Sequence, residues 1–331
     1  MMSCMRTRPL GATGFDVTEI GYGGWGLGGD MWLGADDAEG RRALEEALAC
    51  GVRFFDTALV YGDGHSERMI GKVLKDSGAR GECVVATKIP PRNMQWPGSG
   101  DRPLRETFPA RHVMQSVETS LRNLGDEALQ VQQLHVWHDA WLADPEWQET
   151  RAAMQRLKDT GKVLHWGISI NDHAPHTALE VLEDSLVETA QVIYNIYDRS
   201  PERELFPLAA RRKLGIIVRV PLDEGALTGT IDVKTVFAKG DWREEYFAGA
   251  RRQEAGIRAA ALEKLLGQEA ATLPDLALRF TLSRPEVSTV IPGMRRAKHV
   301  KANASVADGR PLSEALLARL AAHAWEKNWY E

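Results

Sequence analysis

Eight short β-branched runs recur along the chain, each followed by a longer helical pattern or a loop, and this alternation restricts the fold more than any other feature. The runs are EIGYGG (19–24), VRFFDT (52–57), CVVATK (83–88), LQVQQLHVW (129–137), VLHWGIS (163–169), TAQVIYN (189–195), GIIVRV (215–220) and VSTVIPG (287–293). Strands separated by helices pair in parallel. DDAEGRRALEEALACG (36–51) and RHVMQSVETSLRNLG (111–125) have helical periodicity, with Gly51 and Gly125 where a C-terminal cap is expected. Eight repeats favour a closed (β/α)8 barrel, the TIM-barrel architecture, over an open doubly wound sheet of about five or six strands. A single barrel domain over residues 1–331 is the expectation. RPLGATGFDVTEI predicts a small hairpin, its turn flanked by Gly11 and Gly14, over the N-terminal end of the barrel.

Composition narrows the partner. A formal charge of -5 without any Lys/Arg block argues against nucleic acid or an anionic membrane surface and for a small molecule. Cys4, Cys50 and Cys83 lack pair spacing, which fits a reducing compartment, with cytoplasm as the expected location, and supports neither disulfides nor zinc. MMSCMRTRPLGATG has no apolar signal-peptide core, and no apolar run reaches the ~18 residues of a membrane span.

Long connections at the C-terminal ends of barrel strands are where such folds carry chemistry. Three stand out: residues 89–109, residues 222–254, and the chain beyond the eighth run, which ends in SEALLARLAAHAW (313–325) and EKNWYE. The residues closing the runs are Gly24 and Trp25, Asp56, Lys88, His135, Ser169, the segment from Gln191 to Asn195, Arg219, and Pro292 with Gly293. In a barrel these positions converge on one rim. Tyr61 follows Asp56 in FFDTALVYGDGHSE (54–67), so an acid, a phenol, an amine and an imidazole meet there. A neighbouring ammonium lowers the pKa of a phenol, and a buried ammonium needs a counter-ion. Lys88 and Asp56 fill those two roles on this reading, with His135 donating to a substrate oxygen or relaying a proton to Tyr61. Such a set suits protonation of an oxygen on which charge develops as a carbonyl accepts hydride.

Taken singly, these residues have plainer readings: Asp56 as a turn cap, Lys88 as a surface lysine, the 295–301 cations as a solvated helix face. His135 and His138, three apart on a strand, face opposite sides and do not share a metal. Ser66 in the sequence HSE is expected to cap the following helix. Trp25, Trp32, Trp96 and Trp137 fall on or beside the rim, where aromatics wall a pocket for a flat or apolar carbonyl compound; Trp166 and Trp325 read as packing.

The segments FFDTALVYGDGHSE, VVATK, LQVQQLH, GIS, AQVIYN, PLDEGALTG and VIPGMRRAKHVKAN, in this order, resemble the aldo-keto reductase family over nearly the whole chain. The resemblance implies a (β/α)8 barrel that holds a nicotinamide dinucleotide and reduces aldehydes or ketones, with Asp56, Tyr61, Lys88 and His135 as catalytic tetrad and Tyr61 as general acid. It implies Ser169 and Gln191 on the nicotinamide carboxamide, with Ile170 where the family has Asn, leaving open whether Asn171 substitutes. Arg219 takes the place of the aromatic that stacks on nicotinamide, and Gly24, Trp25 and Asp56 border the same ring. Pro221, Leu222, Gly225, Leu227 and Gly229 correspond to the loop along the pyrophosphate. Ile291, Gly293, Met294, Arg295, His299 and Asn303 correspond to the adenosine end, where Arg295, Arg296, Lys298 and His299 favour the 2′-phosphate of NADP; NAD is the alternative. Tyr61, Trp25, Trp96, His135 and Trp137 are the expected substrate contacts. Two other readings stand beside this one: a cofactor-holding regulatory subunit with slow turnover, and a Schiff-base aldolase using Lys88. Oligomeric state, monomer or homo-oligomer, is left open, as is whether the NWYE tail closes over the pocket.

Overall fold

The computed structural model describes residues 5–29 and 36–330, so Trp32 and Cys4 lie outside the described residues. Two strands, β1 (Thr7–Pro9) and β2 (Asp16–Thr18), pair antiparallel as the expected hairpin, in register from Thr7 with Thr18 to Pro9 with Asp16. The eight runs form β3 (Tyr22–Gly23), β4 (Phe54–Asp56), β5 (Val84–Ile89), β6 (Leu129–His135), β7 (Val163–Ser169), β8 (Val187–Ile193), β9 (Gly215–Arg219) and β10 (Val287–Val290). All neighbours are parallel and in chain order. Bridges from Ile20 to Val290 and from Gly23 to Gly293 join first to last and close the (β/α)8 barrel.

Alternation along each strand divides the core in two. Inside the barrel, Phe54, Val84, Ala86, Val131, Ile217 and Ile291 pack with Leu10 and Val17 of the hairpin. Leu10 lies against the backbone of Gly215, where a Cβ would come within 2.7 Å of its Cδ1, so the hairpin plugs the barrel floor. Outside, the strands bury their other face under helices that include Asp37–Ala49, His65–Asp76, Ala110–Leu124, Trp147–Asp159, Leu205–Arg212 and Leu273–Leu282. Asp36 caps the first of these through Ala38 and Glu39 N–H groups, and Gly125, at φ 71°, ends the third.

Several connections depart from the sequence expectation. β6 stops at His135, because Val136 turns the chain out at φ 118°. Between β7 and β8 stand two short 3-10 turns, Pro175–Ala178 and Val181–Glu183, where the (β/α)8 repeat ordinarily has a helix. Residues 89–109, expected to be irregular throughout, contain a one-turn helix, Leu104–Thr107. Among the described residues, no helix is long and apolar enough to cross a membrane.

Candidate active site

Strand register builds the site. His135, Ser169 and Gln191 occupy one row across β6, β7 and β8, and Lys88 projects from β5 beside Gln133. Asp56 ends β4 opposite Ala86, so the lysine two residues further along β5 reaches back to it. Lys88 is fully buried, and its Nζ donates to Asp56 Oδ2 at 2.7 Å, to the Thr57 carbonyl at 2.9 Å and to the Tyr61 hydroxyl at 3.3 Å. All three ammonium hydrogens thus have an acceptor. The second Asp56 oxygen accepts from Gln191 Nε2 at 2.7 Å. A buried ion pair is tolerated when its remaining hydrogen-bonding capacity is met in this way.

Tyr61 follows a tight turn after β4, its N–H bonded to the Ala58 carbonyl, and its ring faces His135 edge-on at 6.0 Å. Trp96 closes on the other side of His135 at 4.7 Å while remaining 41% exposed, so it walls the mouth of the pocket. Withdrawal from solvent raises the Tyr61 phenol above its ordinary pKa, opposed by the Lys88 charge. Lys88 therefore moderates the phenol without setting the net direction, because much of its field terminates on Asp56. Burial also raises the Asp56 carboxyl, with Lys88 and the Gln191 hydrogen bond pulling it back. Burial, with the Lys88 and Arg219 charges, holds His135 well below the usual imidazole range, so the ring is neutral. Among the described residues, His135 Nδ1 has no hydrogen-bond partner.

Other sequence-derived positions behave differently. Trp137 is wholly buried against Trp141 and Trp147, its indole N–H on Asp139, so it backs the rim and does not face the pocket. Ser66 does not cap its helix: its hydroxyl accepts from Thr57 and donates to the Gly24 carbonyl, while Gly64 occupies the cap. His138 caps the 3-10 turn Asp139–Ala143 through the Ala140 N–H. The Asn171 amide is spent on Gly98 N–H, Gly98 carbonyl and Trp137 carbonyl, tying the 89–109 loop to β7. Ile170 is buried, and its carbonyl accepts from Arg219.

Arg219 is fixed by that bond and by Asp172 at 2.7 Å, leaving its Nε buried without a partner among the described residues. Nothing in the sequence links Asp172 to Arg219, 47 residues away. On the adjoining rim, Trp25 meets Trp242 at 5.5 Å. Arg295 lies over Gly26, where a Cβ would come within 2.5 Å of its Cδ. Arg296 occupies the N-terminal boundary of the helix Ala297–Ala304 without a side-chain cap and stands 3.7 Å from Glu39; Lys301 stands 3.5 Å from Glu46. Among the described residues, a Cβ on Gly293 would meet nothing within 4 Å, so they leave the backbone there open to a ligand, whereas the Met294 side chain is buried in the core. Ile291 faces the barrel interior and Asn303 is buried on its helix. The orphaned Arg219 Nε, the open Gly293 backbone and the cations around Ala297–Ala304 fit an elongated anionic ligand along one side of the rim.

The family model for the aldo/keto reductase family matches residues 19–324. The chain is 30% identical over 316 residues to an NADH-specific methylglyoxal reductase of Escherichia coli, covering 90% of this chain and 92% of that protein. Among solved structures it is similar to the glycerol dehydrogenase AKR11B4 from Gluconobacter oxydans (TM-score 0.78, 26% identity, 96% of this chain and 94% of that one). It is also similar to the holo form of aldo-keto reductase AKR11C1 from Bacillus halodurans (TM-score 0.75, 29% identity, 99% and 100%).

Proposed function

The chain belongs to the aldo/keto reductase family, oxidoreductases that act on carbonyls or alcohols, and from that premise we propose that it reduces an aldehyde or ketone, or oxidises the matching alcohol, with Tyr61 exchanging the proton. The observation that carries the reading is the buried Lys88 ammonium bridging Asp56 and the Tyr61 hydroxyl. The nicotinamide cofactor, when bound, supplies or takes the hydride. Tyr61 gives its hydroxyl proton to the substrate oxygen in reduction and removes it in oxidation. Lys88 stabilises the phenolate left behind, and Asp56 keeps Lys88 charged in a buried place. Neutral His135 directs the substrate oxygen towards Tyr61 through a ring N–H. Trp96 narrows the mouth and excludes water.

Cofactor contacts are assigned to Gly24, Trp25, Asp56, Ser169, Gln191 and Arg219 at the nicotinamide end. Pro221, Leu222, Gly225, Leu227 and Gly229 take the pyrophosphate, and Ile291, Gly293, Met294, Arg295, His299 and Asn303 the adenosine. With Ile170 in place of Asn and the Asn171 amide occupied, Ser169 and Gln191 carry the carboxamide alone. NADPH is the preferred cofactor on the strength of the Arg295, Arg296 and Lys298 charges, with His299, held below the usual imidazole range by burial and the cations around it, as a neutral hydrogen-bonding group; NADH is the weaker one.

Titration with NADPH and with NADH, followed by tryptophan quenching, tests the site, and Tyr61→Phe tests the chemistry. The variant binds cofactor as the parent does and loses about a hundredfold or more in single-turnover hydride transfer. Equal turnover would remove Tyr61 from the mechanism.

A further inference from the structure

Residues 325–330 follow the last helix, Glu314–Ala321, with no regular structure of their own, yet they are built into the rim. The Lys327 side chain is 5% exposed, and its Nζ donates to both oxygens of Asp223, at 2.8 and 2.9 Å, and to the Tyr246 hydroxyl at 3.3 Å. The Tyr330 hydroxyl donates to Glu224 Oε1 at 2.5 Å. Its ring stacks on Trp242 at 5.5 Å, the same indole that meets Trp25 on the rim, and tilts against His173 at 5.6 Å. Trp325 N–H bonds to the Tyr197 carbonyl, and Arg251 donates to the Trp329 carbonyl.

The segment so held is the turn that leaves β9 immediately after Arg219. Val220, Asp223 and Glu224 have φ of 53°, 47° and 55°, a region unfavourable to residues with a Cβ, and Gly225 follows at 109°. Strain of this kind persists where the surroundings over-determine the backbone. Here the Asn195 amide, just beyond the end of β8, donates to the Val220 carbonyl, and the tail secures Asp223 and Glu224 from the other side of the turn. Both carboxylates are buried, and opening the turn alone would leave the nearly buried Lys327 ammonium without its counter-ion.

We propose that the C-terminal tail is a latch on the dinucleotide loop: Lys327 and Tyr330 are positioning residues that hold residues 222–225 closed along the cofactor and so set how fast it leaves. The inference rests on the cofactor reading above. Opening the loop requires breaking the Lys327–Asp223 and Tyr330–Glu224 contacts, neither of which involves the tetrad. Hydride transfer within the closed complex is therefore indifferent to them, and release is not.

The test uses the full chain with Lys327→Met, Lys327→Arg and Tyr330→Phe. NADPH is pre-bound and chased with excess NADP+, and its dissociation is followed by fluorescence in stopped flow; single-turnover oxidation by a simple aldehyde is measured alongside. Lys327→Met and Tyr330→Phe release NADPH about tenfold faster, Lys327→Arg restores slow release, and the single-turnover rate stays within about twofold. Tyr330→Phe keeps the ring on Trp242 and decides the matter if Lys327→Met does not fold. Unchanged release in a folded variant, with the parent binding NADPH normally, overturns the latch and leaves the reductase reading standing. A parent that binds neither NADPH nor NADH overturns both.

Discussion

At the residue scale, Glu224 is a buried carboxyl that titrates in the neutral range. Withdrawal from solvent pushes its carboxyl up to about 7 from the usual 4.5, repulsion from Asp223 adding to the rise and the Tyr330 hydrogen bond opposing it. Asp172 and Arg219 also face it, with Tyr246 behind. Because the folded value exceeds the unfolded one, the contribution to stability is full below about 4.5 and is lost as pH rises to about 7 and above, by up to ~3 kcal/mol. Glu224→Gln should flatten that part of the profile, which urea unfolding of parent and variant between about pH 5 and about pH 8 would read. Parallel profiles would mean that Glu224 ionises normally. The convergence of Asp56, Tyr61, Lys88 and His135 was legible in the sequence because three of them lie at strand ends and Tyr61 follows one at short range. Ser66 and Asn171 were misjudged or left open because a hydroxyl or amide takes whichever partner the fold brings, here Thr57 and Gly24 in one case and Gly98 and Trp137 in the other.

At the scale of elements, the helices His65–Asp76 and Ala110–Leu124 set the rim next to Tyr61, and their contact depends on one missing side chain. A Cβ on Gly71 would lie 2.3 Å from the Leu124 carbonyl oxygen and 2.8 Å from its carbonyl carbon and Cα. The obstacle is backbone and cannot swing aside. Gly71→Ala should therefore lose about 2–3 kcal/mol of stability, although alanine favours helix over glycine by about 1 kcal/mol. A thermal melt would show it as a lowered midpoint, and a raised midpoint would mean that the helices separate at little cost. Next to these helices, Glu67 is fully buried and accepts from Thr87 of β5 and Asn123 of the facing helix, locking the same junction. Helices and strands were readable from periodicity. The short 3-10 turns between β7 and β8 were not, since a few residues cannot display a helical period.

At the scale of the molecule, floor and rim are held by separate devices. Arg8 of β1 donates to Glu19 and to the carbonyls of Leu282, Arg284 and Val287, pinning the hairpin across the barrel floor. Glu19 is buried, with Arg6 at 3.8 Å as its only other cationic neighbour among the described residues. Arg8→Ala should cost about 3 kcal/mol or more through the stranded Glu19 charge and unpaired carbonyls. NADPH affinity should not change, because the rim lies at the other end of the strands. Chemical denaturation and the fluorescence titration separate the two quantities, and a parallel loss of affinity would show that floor and rim are coupled.

By itself the sequence determined the barrel and which polar side chains gather at its strand ends, because the period of apolar residues and the register of eight parallel strands leave little choice of which side chains meet at the rim. It determined that Lys88 needs a counter-ion and that Asp56 is within reach. Tertiary structure alone decided which long-range partners complete the site: Gln191 on Asp56, Asp172 on Arg219, and the tail on Asp223 and Glu224. These contacts join residues 47 to 135 positions apart. No local spacing encodes them: Gln191 meets Asp56 only because the closed barrel brings β8 across from β4, and the other contacts depend on how loops with no period of their own cross the same rim.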